Sequence, residues 1–189
     1  MALSQELAAY RDIPALVHLN SKEQADTIGF NLVEGICSLL YRPILNGEVP
    51  LYVSPKKELR IDGNSLLALE NSSGTQFETC PDIFFHEYWS SNRKTTAFKI
   101  EGFSFVNKNR LEQKVAYGYV DVRDIDSLLL HAMIKNTVNG YAQLSFSDAL
   151  MSRRYLYHLV QMGEETFQSD PSLAVRLKRD AFSSGKLIR

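Results

Sequence analysis

TTAFKIEGFSFVNKNRLEQKVAYGYVDV, residues 95–122, decides the fold. Phe98 and Ile100 alternate with Lys99 and Glu101, which gives a strand one dry and one wet face. After Gly102 the apolar residues Phe103 and Phe105 take the opposite parity, and a glycine at such a phase change marks a β-bulge. NKNRLEQ then turns the chain, and Val115, Tyr117 and Tyr119 set the parity of a returning strand. These signals make an antiparallel hairpin over about residues 95–122, with FFHEYW (84–89) as a further strand upstream.

Outward from the hairpin the pattern turns helical. Ser4 to Arg11 suits a short helix. In SKEQADTIGFNLVEGICSLLYRPILNG (21–47) Ser21 can cap, and Ile28, Leu32, Ile36, Leu39 and Leu40 recur at helical spacing. Phe30, Val33 and Cys37 add a second apolar strip, so one largely buried helix is expected, ended or kinked at Pro43 and stopped by Gly47. LYVS (51–54) and ELRI (58–61) read as short strands, and residues 64–70 as a short helix. On the far side Asp124 is expected to cap a helix over 125–135, and Asn139-Gly140 to turn the chain. Ser145 or Ser147 caps a longer helix through Met162, and Pro171 to Arg179 is helix-capable. The expected fold class is α+β, a small antiparallel sheet packed against helices in a single domain spanning 1–189.

The chain has 189 residues, 44% hydrophobic, with a formal net charge of −1. That is enough apolar material for a core without disulfide or metal staples. So even a charge lacks the basic excess of a general nucleic-acid binder, and no nucleic-acid partner is expected. No window holds eighteen consecutive apolar residues, so no transmembrane segment is expected. MALSQELAAYRD has no basic region leading into an apolar core, which reads as cytoplasmic; the compartment becomes periplasmic if Met1 is an introduced start and the family resemblance described below holds.

No pattern carries recognisable catalysis. The histidines are His18, His86, His131 and His158, and none stands at metal-ligand spacing from another ligand residue. His86-Glu87 opens like a zinc-protease signature, but Ser90 stands where the second His belongs. Asp121, Asp124 and Asp126 in DVRDID lack the glycine and bidentate glutamate of a calcium loop, and acidic residues already suit a helix N-terminus. Cys37 and Cys80 read as buried, inert thiols. Tyr117-Gly118-Tyr119-Val120 matches the centre of an RNA-recognition motif, yet only a turn separates it from the preceding strand. Catalytic residues, cofactors and metals are therefore expected to be none; the enzyme alternative is a site assembled in space around His86, Glu87 and His131.

Arg153 and Arg154, followed by Tyr155 and Tyr157, place guanidinium groups beside phenols, and such residues are enriched where proteins meet. With Tyr88, Trp89, Tyr117 and Tyr119 they form the candidate interaction surface, on condition that Tyr117 and Tyr119 are not buried beneath helices.

Four segments carry a family resemblance: LVEGICSLLYRPILNGEVPLY, HEYWSSNRKTTAFKIEGFSFV, YGYVDVRDIDSLL and LSFSDALMSRRYLYHLV. Their order is similar to that of the GldN/PorN family of the Bacteroidetes gliding-motility and type IX secretion apparatus. The resemblance implies a non-enzymatic, periplasmic subunit that joins other proteins, or copies of itself, in a large ring. The expected function is thus a protein-interaction component or accessory of a bacterial assembly; the alternative is a cytosolic adaptor, secretion chaperone or immunity protein with one partner.

Overall fold

A computed structural model describes residues 13–28, 30–91, 96–134, 144–153 and 155–166. The expected helix at Ser4–Arg11, the Asn139-Gly140 turn, the Pro171–Arg179 segment and Arg154 lie outside the described residues. In order the elements are β1 (Ile13–Asn20), α1 (Ser21–Ile28), α2 (Leu32–Leu45), β2 (Leu51–Tyr52), β3 (Arg60–Ile61), α3 (Gly63–Ser73) and β4 (Asp82–Ser91). Beyond them lie β5 (Thr96–Lys108), β6 (Lys114–Asp121), a 3-10 turn (Val122–Asp124), α4 (Asp126–His131), α5 (Phe146–Met151), β7 (His158–Met162) and β8 (Glu165–Thr166). The class is α+β with antiparallel strands. Two compact units are distinguished, Leu19–Phe84 with Gly102–Leu156, and the remainder.

In the larger unit, the expected single helix over 21–43 is two. Asn20 caps α1 by accepting from the amides of Lys22 and Glu23. Asn31 then caps α2, accepting from Glu34 N at 3.1 Å and donating back to the Glu34 carboxylate. The Asn31 side chain thereby satisfies one helix-start donor, the Glu34 amide, so the chain restarts a helix rather than continuing one. Leu32, Val33, Ile36, Cys37, Leu40 and Ile44 of α2 are buried, while Phe30 and Leu39 of the expected strips are half-buried. Pro43 sits in the last turn, and Gly47 comes after it with φ +75°. α3 begins at an Asp62 cap and ends at Gly74 in the left-handed region.

β5 and β6 form the expected hairpin, with Phe103 opposite Val120 and Phe105 opposite Gly118. Between Phe105 and Val106 the register shifts, because the next partner is Ala116 and Tyr117 is the extra residue. This shift lies further along β5 than the expected position at Gly102. Gly118 has φ +128°, and a side chain there would run into the Tyr52 carbonyl. The bulge breaks alternation, so Tyr117 and Tyr119 do not share a face. Tyr117 joins Phe105 against Phe77, whose ring lies 4.6 Å from that of Phe105 and 5.8 Å from that of Tyr117. Its hydroxyl bonds Thr75 at 2.7 Å, which satisfies a polar group in a buried place. Buried Glu70 of α3 fixes the same cluster, accepting from Phe77 N at 2.8 Å and the Tyr41 hydroxyl at 3.0 Å. Tyr119, opposite Ser104, lies across Gly102 where a β-carbon would stand. β2 extends this part of the sheet through Tyr52 opposite Tyr119, and β3 pairs with β2 at its edge.

The expected helix from Ser145 or Ser147 through Met162 stops at Met151. Ser145 caps α5, accepting from Asp148 N at 3.0 Å. Arg153 then adopts φ +51°, and Leu156 gives both its amide and its carbonyl to the fully buried side chain of Gln24. Those backbone groups are spent away from any helical ladder, so the helix cannot continue. The expected Asp124 cap is also corrected: Asp121 accepts from Arg123 N and starts the 3-10 turn, which contains Asp124.

In the other unit, β1 pairs with β7 and β7 with β8, both antiparallel. Ala15 and Val17 face inward with their partners Met162 and Leu159. Phe85, Glu87 and Trp89 of β4 are buried, and the Trp89 indole donates to the Glu87 carboxylate at 2.5 Å.

Replacing Gly102 by alanine puts a methyl group into the Tyr119 ring and the Val120 carbonyl. Overpacking of this sort costs about 1–3 kcal/mol. Urea unfolding of Gly102→Ala should show a lower midpoint with an unchanged slope, and a wild-type midpoint would contradict the packing described.

Candidate protein-interaction surface

Burial sorts the eight sequence candidates. Tyr117, Tyr119, Trp89 and Tyr155 are at most 5% exposed, so none of them can meet a partner without unfolding its surroundings. Tyr117 and Tyr119 are packed in the β5–β6 core, and the same burial denies them the open ring faces that base stacking needs. Tyr88 is exposed and, with Ser90, Ala97, Phe98, Lys99 and Glu101, lines an open groove of about 370 Å³. Arg153 and Tyr157 are half-buried, and the Arg153 guanidinium lies 6.0 Å from the Tyr155 ring centre. Arg154 lies outside the described residues.

A different surface emerges on the larger unit, at α4 and α5. The chain leaves β6 at Asp121, whose carboxylate accepts from Lys57 Nζ at 2.6 Å, Arg123 Nη2 at 2.8 Å and Arg123 N at 2.9 Å. α4 and α5 are joined side by side through backbone bonds, Phe146 N to Ala132 O at 3.1 Å and Ile134 N to Leu144 O at 2.9 Å. Met133 and Ser145 form an antiparallel bridge between them. Inward, Leu129, Ile134, Phe146, Ala149 and Leu150 are buried. The Phe146 ring occupies the space a β-carbon on Gly35 would need, at 2.8 Å, which seats α5 directly on the α2 backbone. Outward, the same elements present Leu130, Met133 and Met151 at 55%, 45% and 69% exposure. Two of these three are methionines, whose unbranched, polarizable side chains adapt to more than one apolar surface.

Sequence reasoning passes over these three residues. Leu130 and Met133 fall within the expected helix over 125–135, and α4 ends at His131, before Met133. Only the pairing of Met133 with Ser145 turns it outward, and a tertiary pairing leaves no mark in local periodicity.

His86, Glu87 and His131 are the residues of the expected enzyme alternative. His86 and Glu87 are neighbours on β4, and strand alternation sends His86 to the half-exposed face while Glu87 is buried. Desolvation holds the His86 imidazole below its ordinary pKa. His131 is exposed on α4, with Nδ1 2.7 Å from the Ser127 carbonyl. Among the described residues no three or more His, Cys, Asp or Glu side chains gather as a metal site. Cys37 and Cys80 are buried free thiols; hydrogen bonding with Cys37, and then burial, pushes the Cys80 thiol far up. One contact that sequence spacing does not reveal is His18 with His158, directly opposed on β1 and β7. No helix among the described residues is long and apolar enough to cross a membrane.

No family model matches the chain, and no curated protein matches it.

Hydrogen bonds from Arg123, and then from Lys57, hold the Asp121 carboxyl far below the usual carboxylate range against the opposing cost of burial. A depressed folded-state pKa stabilises the fold above the unfolded value of about 4 and loses that contribution as pH falls through the folded value. The Arg123 side chain is 74% exposed, so solvent screens its charge and its contribution to stability is smaller than its hydrogen bond alone suggests. Asp121→Asn should therefore cost about 1–3 kcal/mol near neutral pH. It should also flatten the acid limb of the stability–pH curve; an unchanged acid limb would contradict the pairing.

Proposed function

We propose that this chain works through protein–protein contact, as a component or accessory of a larger bacterial assembly, and that α4–α5 is its contact surface. The observation that carries this reading is the outward set Leu130, Met133 and Met151 on elements otherwise fixed to the core. Interface centres are enriched in methionine and depleted in charge, and exposed apolar residues that cluster mark interaction sites where scattered ones do not.

The finer proposal is that the assembly is of the secretion and gliding-motility type. It is supported by the four segments similar to the GldN/PorN family, and by an aromatic strand, β6, that leads into a helix after one 3-10 turn. Under this proposal the chain is periplasmic and its neighbours are other subunits of a ring or copies of itself.

The surface is tested by Leu130→Glu combined with Met151→Glu. Both side chains are exposed, so circular dichroism and the melting temperature should stay near wild type while the principal protein co-purifying from the native host is lost. Interface anchors of this kind typically cost about 2 kcal/mol or more, roughly a thirtyfold weakening each. Retention of the same co-purifying protein by the double variant would defeat the assignment of the surface.

A further inference from the structure

We propose that His18 and His158 form a two-imidazole site for a late first-row divalent cation such as Cu²⁺, Ni²⁺ or Zn²⁺, held on the half-exposed face of the β1–β7 pair. This inference is independent of the protein-contact reading. The two residues are 140 positions apart in sequence, yet they are Cα partners on adjacent antiparallel strands. Directly opposed residues project from the same face of a sheet. Their ring centres lie 6.3 Å apart with 36° between the planes.

That separation suits one metal between the rings. With metal–nitrogen bonds of about 2.0–2.1 Å, each ring centre stands about 3 Å from the metal, so two rings on one cation are about 5 Å apart at a tetrahedral angle and about 6 Å apart when opposed. Small rotations about the side-chain bonds cover the range. Neutral imidazole favours the late first-row ions over magnesium or calcium, which prefer oxygen donors. Alternation along β1 and β7 keeps both rings away from the buried face, where Val17 and Leu159 pack opposite one another. Both are half-exposed, so a cation can enter while retaining water at its remaining positions.

The register gives the site a consequence. Immediately beyond the pair the β1–β7 ladder shifts, since Val17 faces Leu159 but Leu16 faces Gln161, and Val160 is left as an extra residue. A metal bound by His18 and His158 clamps the ladder at its last regular pairs before this irregularity. Because β7 continues only through a tight turn to the two-residue β8, a clamp there fixes the placement of both strands against β1.

The test uses the tag-free full-length chain. Cu²⁺ added to wild type should give an electron paramagnetic resonance spectrum with coupling to two imidazole nitrogens, and Ni²⁺ should raise the melting temperature. His18→Ala and His158→Ala should each abolish the Ni²⁺ rise, while His131→Ala, on exposed α4, should keep it. The proposal is overturned if wild type shows coupling to one nitrogen or none, if Ni²⁺ leaves its melting temperature unchanged, or if either single variant keeps the full rise. Should a variant fold poorly, the nitrogen count on wild type still decides.

Discussion

The extra residue Tyr117 in β6 is the constraint on which the larger unit depends. A regular hairpin would put Val115, Tyr117 and Tyr119 on one face. The bulge opposite Phe105 instead sends Tyr117 to Phe77, Thr75 and the end of α3, and leaves Tyr119 on the other face over Gly102. Both faces of the β5–β6 pair thereby receive a large, buried ring. The conformation at Gly118, with φ +128°, is one that only glycine adopts without strain. Two glycines therefore do different work within the hairpin: one permits the bulge, and the other makes room for a ring.

The segment beyond β6 inherits its position from this hairpin. Asp121 is the last residue of the strand and the first cap of the helical segment, so one carboxylate ends the sheet, draws in Lys57 and Arg123, and aims α4. α4 in turn carries α5 by backbone bonds, and α5 reaches back to α2 through Phe146 on Gly35. Leu130, Met133 and Met151 are outward while Leu129, Ile134, Phe146, Ala149 and Leu150 of the same segment are committed inward. An apolar group displayed by rigid elements loses little entropy on docking, which is the property a recognition surface needs.

The hairpin over 95–122 and the short strands at 51–61 are legible in the sequence because alternation and turn residues are local signals. The helix of residues 32–45 is legible for the same reason. The misread elements have two physical origins. Tyr117 as the bulged residue and the strand at 158–162 depend on partners that periodicity does not report, since Leu156 gives its backbone to Gln24 and Val17 faces Leu159, whereas the Asn31 restart cap is a local Asn31–Glu34 pairing that the apolar periodicity running through it masks. Tyrosine-rich stretches read as recognition surface, yet Tyr117, Tyr119 and Tyr155 are core, since a large ring buries as well as it binds. The outward methionines give no comparable signal, because exposure of a single apolar residue is set by what packs beside it.

Site-specific photo-crosslinking in the native host is the most direct measurement of whether α4–α5 meets another protein. A crosslinking residue at Met151 or at Leu130 is predicted to give the same discrete adduct with one partner, while one at Leu111, 76% exposed in the β5–β6 turn, gives none. Absence of an adduct at both helical positions, or the same pattern at all three, would contradict a contact surface at α4–α5.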